Sequence, residues 1–336
     1  MRALPVRYAA SFVLVAGLGI GPSAPAAAKP KLPSRTVQCG EVLTESLRVA
    51  NNLLECPADG LVVGAPGITI DLGSHRIDGV SVVGSAGVDN SAGHDDVVIE
   101  KGVLSEFEDG VRLEGASGNT VRLLRARSIL GAGIHLVGSS GNFLLQNQLS
   151  DSDDFGIHFE PGSNGNVVSG NEVSGSQSSG LYIEDSSANQ FLSNVVWAND
   201  YGMEIFGSDH VLKGNVVEGN RGNGIVIDGS PTRDLVKGNR SSGNDGNGIQ
   251  VFGGSDNLLV GNTTHENDGH GIESDSSALT LKKNKANGNG FLGGGAGDDV
   301  GLGISVPAGA VNSGNKALGN DDPNECEASD LGCHVP

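Results

Sequence analysis

Gly180-Leu181-Tyr182-Ile183 is followed 22 residues later by Gly202-Met203-Glu204-Ile205, and both stretches place apolar residues one and three positions after a glycine. The same pattern starts at Gly110, Gly133, Gly156, Gly224, Gly248 and Gly271, at intervals of 22 to 24 residues. Of the sixteen residues at those two positions, fifteen are apolar, and Ser274 is the exception. Alternation with period two describes a short strand with one face buried. Its return at a fixed interval means that the same strand is laid down again beside its predecessor. A segment of that length at ~3.3 Å per residue is too short for a strand, a crossover helix and a second strand. It suffices for three short strands joined by turns, and parallel stacking of such coils follows.

Two asparagine series keep the same phase: Asn147, Asn171, Asn194, Asn215, Asn239, Asn262 and Asn284, and then Asn199, Asn220, Asn244, Asn267 and Asn289. Asparagine tolerates left-handed backbone angles and bonds its own backbone at turns, and stacked asparagines can also bond along the axis of a sheet. Both series are read as structural. Composition agrees with a solenoid: 54 of 336 residues are glycine and only 4% are aromatic. Glycine at that density destabilises helical bundles, and it never follows the strict three-residue period of collagen. The expectation is an all-β, single-domain, right-handed parallel β-helix of about ten coils of 22–24 residues, three short strands per coil, over residues 60–320. A capping segment precedes it at 29–59 and a tail closed by a disulfide follows at 321–336. One interval is irregular, from Gly271 to Gly303, and its excess contains Gly293-Gly294-Gly295-Ala296-Gly297-Asp298-Asp299.

The opening of the repeat region carries Cys39-Gly40, then Cys56-Pro57 and Asp59-Gly60-Leu61-Val62, then Ile68-Thr69-Ile70-Asp71-Leu72 with His75, Ile77 and Gly79. With the coil pattern behind it, the chain resembles secreted right-handed parallel β-helix proteins of the pectate-lyase-like superfamily. The resemblance spans roughly residues 37 to 320, as the repeat does. It implies a fold and leaves the activity open, because this architecture carries lyases, hydrolases, epimerases, tailspikes and adhesins. The Asp-Pro-His motif of alginate epimerases is absent, so no catalytic residue is transferred by motif. Copper handling, known in some β-helix proteins, lacks soft ligands here: there are two methionines and four cysteines.

Position two after each glycine faces away from the core and reads Arg112, His135, His158, Tyr182, Glu204, Val226, Gln250 and Glu273. The first five form a titratable stripe whose members are spaced ~4.8 Å apart, comparable with a sugar unit. Position four adds Glu114, Glu160 and Glu184, and the turn before the glycine adds Asp154-Phe155 and Asp200-Tyr201. Uronate lyases and epimerases need a base, a group that stabilises the anion and often an acid for the leaving oxygen. The stripe offers His158 or His135 as base, Tyr182 as acid and Arg112 as partner of a substrate carboxylate. Asp154 and Glu204 are orienting groups or Ca2+ ligands. A glycoside hydrolase would instead use Glu204 with Glu184 or Asp154. Trp197, Tyr201 and Phe155 are candidate sugar-stacking residues, Trp197 because its register matches hydrophilic positions. The leading expectation is an extracellular protein that binds, and processes as a lyase or epimerase, an acidic polysaccharide or cell-surface glycan. The alternative is a non-catalytic surface or matrix rod.

Arg2 and Arg7, an apolar run from Ala9 to Ile20 and Ala26-Ala27-Ala28 read as a cleavable signal over residues 1–28. Its removal takes the formal charge from −19 to −21, because it carries two arginines and no acid. Such acidity argues against nucleic-acid binding, and no second apolar stretch is long enough to span a membrane. A secreted or periplasmic location suits the four cysteines, for which proximity favours Cys39 with Cys56 and Cys326 with Cys333.

Overall fold

The computed structural model describes residues 31–290 and 302–320 and the backbone of Cys326–Glu327. Among the described residues there is no helix, and the strands form three parallel sheets of 13, 13 and 12 strands. Every coil donates one strand to each sheet. Ala132–Val137, Phe143–Leu145 and Gln148–Ser152 make one coil, and Phe155–Phe159, Val167–Ser169 and Glu172–Ser174 lie directly on them, pair for pair. The fold is thus an all-β solenoid of about 11 turns. Strands of the expected capping segment, Glu41–Leu43 and Leu47–Val49, already pair with Leu61–Val63 and Thr69–Asp71 in the same sheets.

The glycine repeat has a steric cause. A Cβ on Gly156 would stand 2.1 Å from Val173 Cγ1 and 2.6 Å from the Gly180 carbonyl oxygen, so the coil corner closes only around a hydrogen atom. The flanking apolar positions fill the interior: Ile134, Leu136, Ile157, Phe159, Leu181 and Ile183 are fully buried. Ser274 is buried as well, and its Oγ accepts the Ser276 N–H at 3.1 Å. After the irregular interval Ile304 pairs with Ile272, so the stack resumes in register. The glycine-rich segment itself lies outside the described residues, as do the signal segment and the Cys326–Cys333 pairing.

The asparagines work along the axis and do not take left-handed angles. That conformation falls on the preceding residue, as at Gln146 (φ 54), Gly170 (φ 66) and Ser193 (φ 53). The corner thereby turns each amide inward. Asn171 Oδ1 accepts both the N–H and the Nδ2 of Asn147 at 2.9 Å, while Asn171 Nδ2 donates to Asn194 Oδ1 and to the Leu144 carbonyl. The second series bonds likewise from Asn199 through Asn289. A third ladder was not foreseen: Asn119, Asn142, Asn166 and Asn189 lead to His210 and Asp234 and then to Asn257.

The Cys39–Cys56 disulfide is present, with a sequence separation of 17 residues and Cα atoms 5.4 Å apart. Its loss in Cys56→Ser is expected to destabilise the chain by ~3 kcal/mol in the loop-closure model. Thermal melting compared with the parent under oxidising conditions checks this, and an unchanged melting temperature contradicts it.

Candidate active site

The strands of the glycine-repeat sheet hold the stripe in strict register: Arg112 beside His135, His135 beside His158, His158 beside Tyr182, and Tyr182 beside Glu204. An open groove of about 430 Å³ lies over its N-terminal half, lined in part by Arg112, His135, Asp154, Phe155 and His158. At its floor is Asp109, the residue before Gly110. Asp109 Oδ2 accepts from Arg112 Nε at 2.8 Å and lies 3.0 Å from His135 Nδ1, while Oδ1 accepts the Ala132 N–H at 3.1 Å. Burial alone would push this carboxyl up, but His135, Arg112 and the Ala132 N–H outweigh it and hold it below the ordinary carboxylate range.

Sequence reasoning missed Asp109. The signal was available, because residues immediately before the repeat glycines form their own column. That column couples diagonally to the stripe one coil on. Asp109 reaches His135, Phe155 stacks on Tyr182 with centroids 4.8 Å apart, Ser179 donates to Glu204, and Asn223 Nδ2 donates to Gln250 at 2.7 Å.

The two histidines stack at 4.8 Å and 11°, yet their chemistry diverges. Burial would lower His135, but Asp109 and Glu160 outweigh it and raise this imidazole above its usual range. His158 has no such carboxylate bond. Burial, and then the charge of His135, push it down to about 4. The two rings are thus pushed in opposite directions, His135 toward the imidazolium and His158 toward the neutral ring. Tyr182 lies 5.6 Å from His158, and burial together with Glu184 and Glu204 raises its hydroxyl, so it stays protonated. Burial raises Glu204 against the opposing Ser179 bond, and burial with the Asp109 charge raises Asp154.

Arg112 is in the stripe, but its guanidinium is already engaged by Asp109, by the Gly84 carbonyl at 3.1 Å and by Glu108 at 3.7 Å. The other groove residue whose surroundings favour a positive charge is His135. Trp197 is exposed, in register with Ser174 and Glu218 on the 12-stranded sheet, and among the described residues it makes no ring contact with Phe155 or Tyr182. Tyr201 is also exposed and lies over Gly222, where a Cβ would meet its ring at 2.5 Å. Asp154 borders the groove, and among the described residues no three His, Cys, Asp or Glu side chains converge as a metal site.

The sequence model of the family described as right-handed beta helix region matches residues 67–235. The chain belongs to that family. This β-helix protein also matches, over residues 162–312, the model described as periplasmic copper-binding protein (NosD). The residues there do not suit copper. The segment has no cysteine, its one methionine, Met203, is fully buried in the core, Nδ1 of His210 and of His270 already accept backbone N–H groups, and His265 Nε2 is engaged by Arg240 at 2.5 Å.

No curated protein matches the sequence. Among solved structures, the β-helix protein is similar to the A-module of mannuronan C-5 epimerase AlgE6 from Azotobacter vinelandii, with 17% identity over 83% of this chain and 91% of that one, at a TM-score of 0.58. It is also similar to a mutant of DFA-IIIase from Arthrobacter chlorophenolicus A6, at 14% identity, 86% and 76% coverage and a TM-score of 0.54. A mutant of the periplasmic alginate epimerase AlgG gives 14%, 83%, 78% and 0.52. At these identities the likeness is one of fold. The β-helix architecture is thus shared with polysaccharide epimerases and glycoside hydrolases.

Proposed function

We propose that the sheet face from Arg112 to Glu204 binds an acidic polysaccharide and moves a proton on it, as a lyase or epimerase does. The observation that carries this reading is the stacked histidine pair, in which one ring is bonded to a buried carboxylate and the other is not. A carboxylate laid against His135 would be stabilised by the imidazolium and fixed beside a neutral ring. The same carboxylate would offset the charge that depresses His158. The ring would then return toward the range in which a general base works. Tyr182, held protonated and next in register, supplies the acid on the other side of the pair. Asp109 positions His135 without touching the sugar. Phe155, stacked on the Tyr182 ring and tilted against His158, adds an apolar surface for the ring of the substrate.

An extracytoplasmic location fits this reading and is supported by the Cys39–Cys56 disulfide. Among the described residues, no helix is long and apolar enough to cross a membrane. The test is incubation with uronate-containing and neutral polysaccharides, with Ca2+ or with EDTA, following both ultraviolet absorbance and new reducing ends. Absorbance with reducing ends marks a lyase, and reducing ends alone a hydrolase. Epimerisation is read from the sugar composition. His158→Ala and Tyr182→Phe are each expected to abolish turnover, a loss of at least 10²-fold for a removed acid or base, with melting unchanged. Full turnover in both variants would remove these two residues from the chemistry, and no turnover by the parent on any substrate would leave a non-catalytic rod as the better account.

A further inference from the structure

The fourth position of the repeat places a glutamate over each histidine of the coil before it. Glu160 Oε1 lies 3.2 Å from His135 Nε2, and Glu184 Oε1 lies 3.9 Å from His158 Nε2. Neither contact closes a hydrogen bond, and both Nε2 atoms are screened from solvent with no bonded partner. Buried ring nitrogens normally find a partner, so the two acids cover the nitrogens without satisfying them. The layers differ in mobility. The rings are fixed by Asp109 and by their stack. The glutamate side chains are 41% and 38% exposed, with room to swing away.

Glu160 therefore occupies the place over His135 that an incoming carboxylate would need, and Glu184, one coil on, covers the nitrogen with which His158 would act as base. Resting on the polysaccharide reading above, we infer that Glu160 and Glu184 are displaceable covers of the histidine pair, Glu160 as a stand-in for the substrate carboxylate and Glu184 as a cap on the base, and that both act as specificity-determining residues. An acidic glycan enters by laying its carboxylate over His135 in place of Glu160, and repulsion from that carboxylate turns Glu184 away from His158 Nε2. This is selection by a built-in repulsive group, which adds discrimination that attraction alone would not provide. Neutral glycans gain nothing from displacing either acid.

Glu160→Gln and Glu184→Gln keep the side-chain size and an acceptor oxygen while removing the charge. Binding of polygalacturonate oligomers and of neutral maltooligosaccharides of equal length is measured by calorimetry on the full chain, for the parent, each variant and the pair. The expected result is about tenfold tighter binding of the acidic oligomer per substitution, equivalent to ~1.4 kcal/mol each, with the neutral oligomer unaffected. Single-site uronate should gain in the variants as well, because the excluding charge has gone. If the parent binds the acidic oligomer and the double variant binds it no better, the inference is overturned and the polysaccharide reading stands. If neither parent nor variants bind any oligomer, acidic or neutral, the polysaccharide reading itself falls, and the inference with it.

Discussion

Asp234→Asn is expected to make the protein more stable at neutral pH, by an amount that grows as the solution is made less acidic. Asp234 is fully buried in a ladder otherwise built mostly of asparagines, and its Oδ1 accepts the His210 N–H at 2.6 Å. Its Oδ2 has no partner. Elsewhere in that ladder the equivalent atom is an amide nitrogen, as in Asn166, whose Nδ2 donates to the Ser139 carbonyl and to Asn189 Oδ1. Burial, only partly offset by the His210 N–H, pushes the Asp234 carboxyl from 3.8 to about 7. The folded chain therefore holds this proton more tightly than the unfolded chain does. Its contribution is fully present below pH 3.8 and is lost as pH rises through about 7. The accumulated loss is ~4 kcal/mol for a shift of that size.

His210 acts in the opposite sense. Burial lowers it to about 4, so its contribution is present above 6.5 and is lost as pH falls toward 4. The two neighbours thus offset one another across the acidic range in the parent chain. Denaturant unfolding of parent and variant from pH 4 to 8 checks the prediction: the difference should be near zero at pH 4 and reach several kcal/mol above pH 7. A difference independent of pH would contradict it.

The converse experiment is Asn171→Ala. Four hydrogen bonds go with the side chain: those from the Asn147 N–H and Nδ2, and those to Asn194 Oδ1 and the Leu144 carbonyl. Asn194 Oδ1 keeps the Asn171 N–H, Asn147 Nδ2 keeps the Val121 carbonyl and Leu144 keeps its place in the parallel ladder with Val168, so one group is left bare, the Asn147 N–H. Each buried group without a partner costs about 1–3 kcal/mol, and the void adds to it. A loss of ~4 kcal/mol in unfolding free energy is expected. Asn171→Asp should lose a comparable amount at pH 8 and recover much of it at pH 4, because the protonated acid regains a donor. A pH-independent loss for Asn171→Asp would contradict this account of the ladder.

The fold was legible because the glycine, the alternating apolar pair and the spacing all express one steric requirement repeated eight times. The stripe was legible for the same reason, since outward positions follow once inward ones are known. What escaped were relations that no single coil contains. The third ladder hides where His210 and Asp234 replace asparagine, and its members are recognisable only when the coils are stacked. Asp109 precedes its glycine in a column of mixed residues, so its diagonal reach to His135 had no sequence period. Arg112 reads as a free cation, but acids and a carbonyl from neighbouring turns already surround it. Trp197 sits four residues from Tyr201 in sequence, yet a corner intervenes and turns the two toward different faces.

The ladders give the rod a direction. In the two all-asparagine series, the amide oxygen receives donors from the coil before it and the amide nitrogen gives to the amide oxygen of the coil after it, so each coil exposes donors at one end and acceptors at the other. Any interior coil can therefore follow any other without a new kind of contact. Length is then quantised: descendants of this chain can grow or shrink by whole turns of about 4.8 Å, each adding or removing one outward place on the groove sheet. A binding face built this way is lengthened by duplication and tuned by single substitutions at positions that bear no weight in the core.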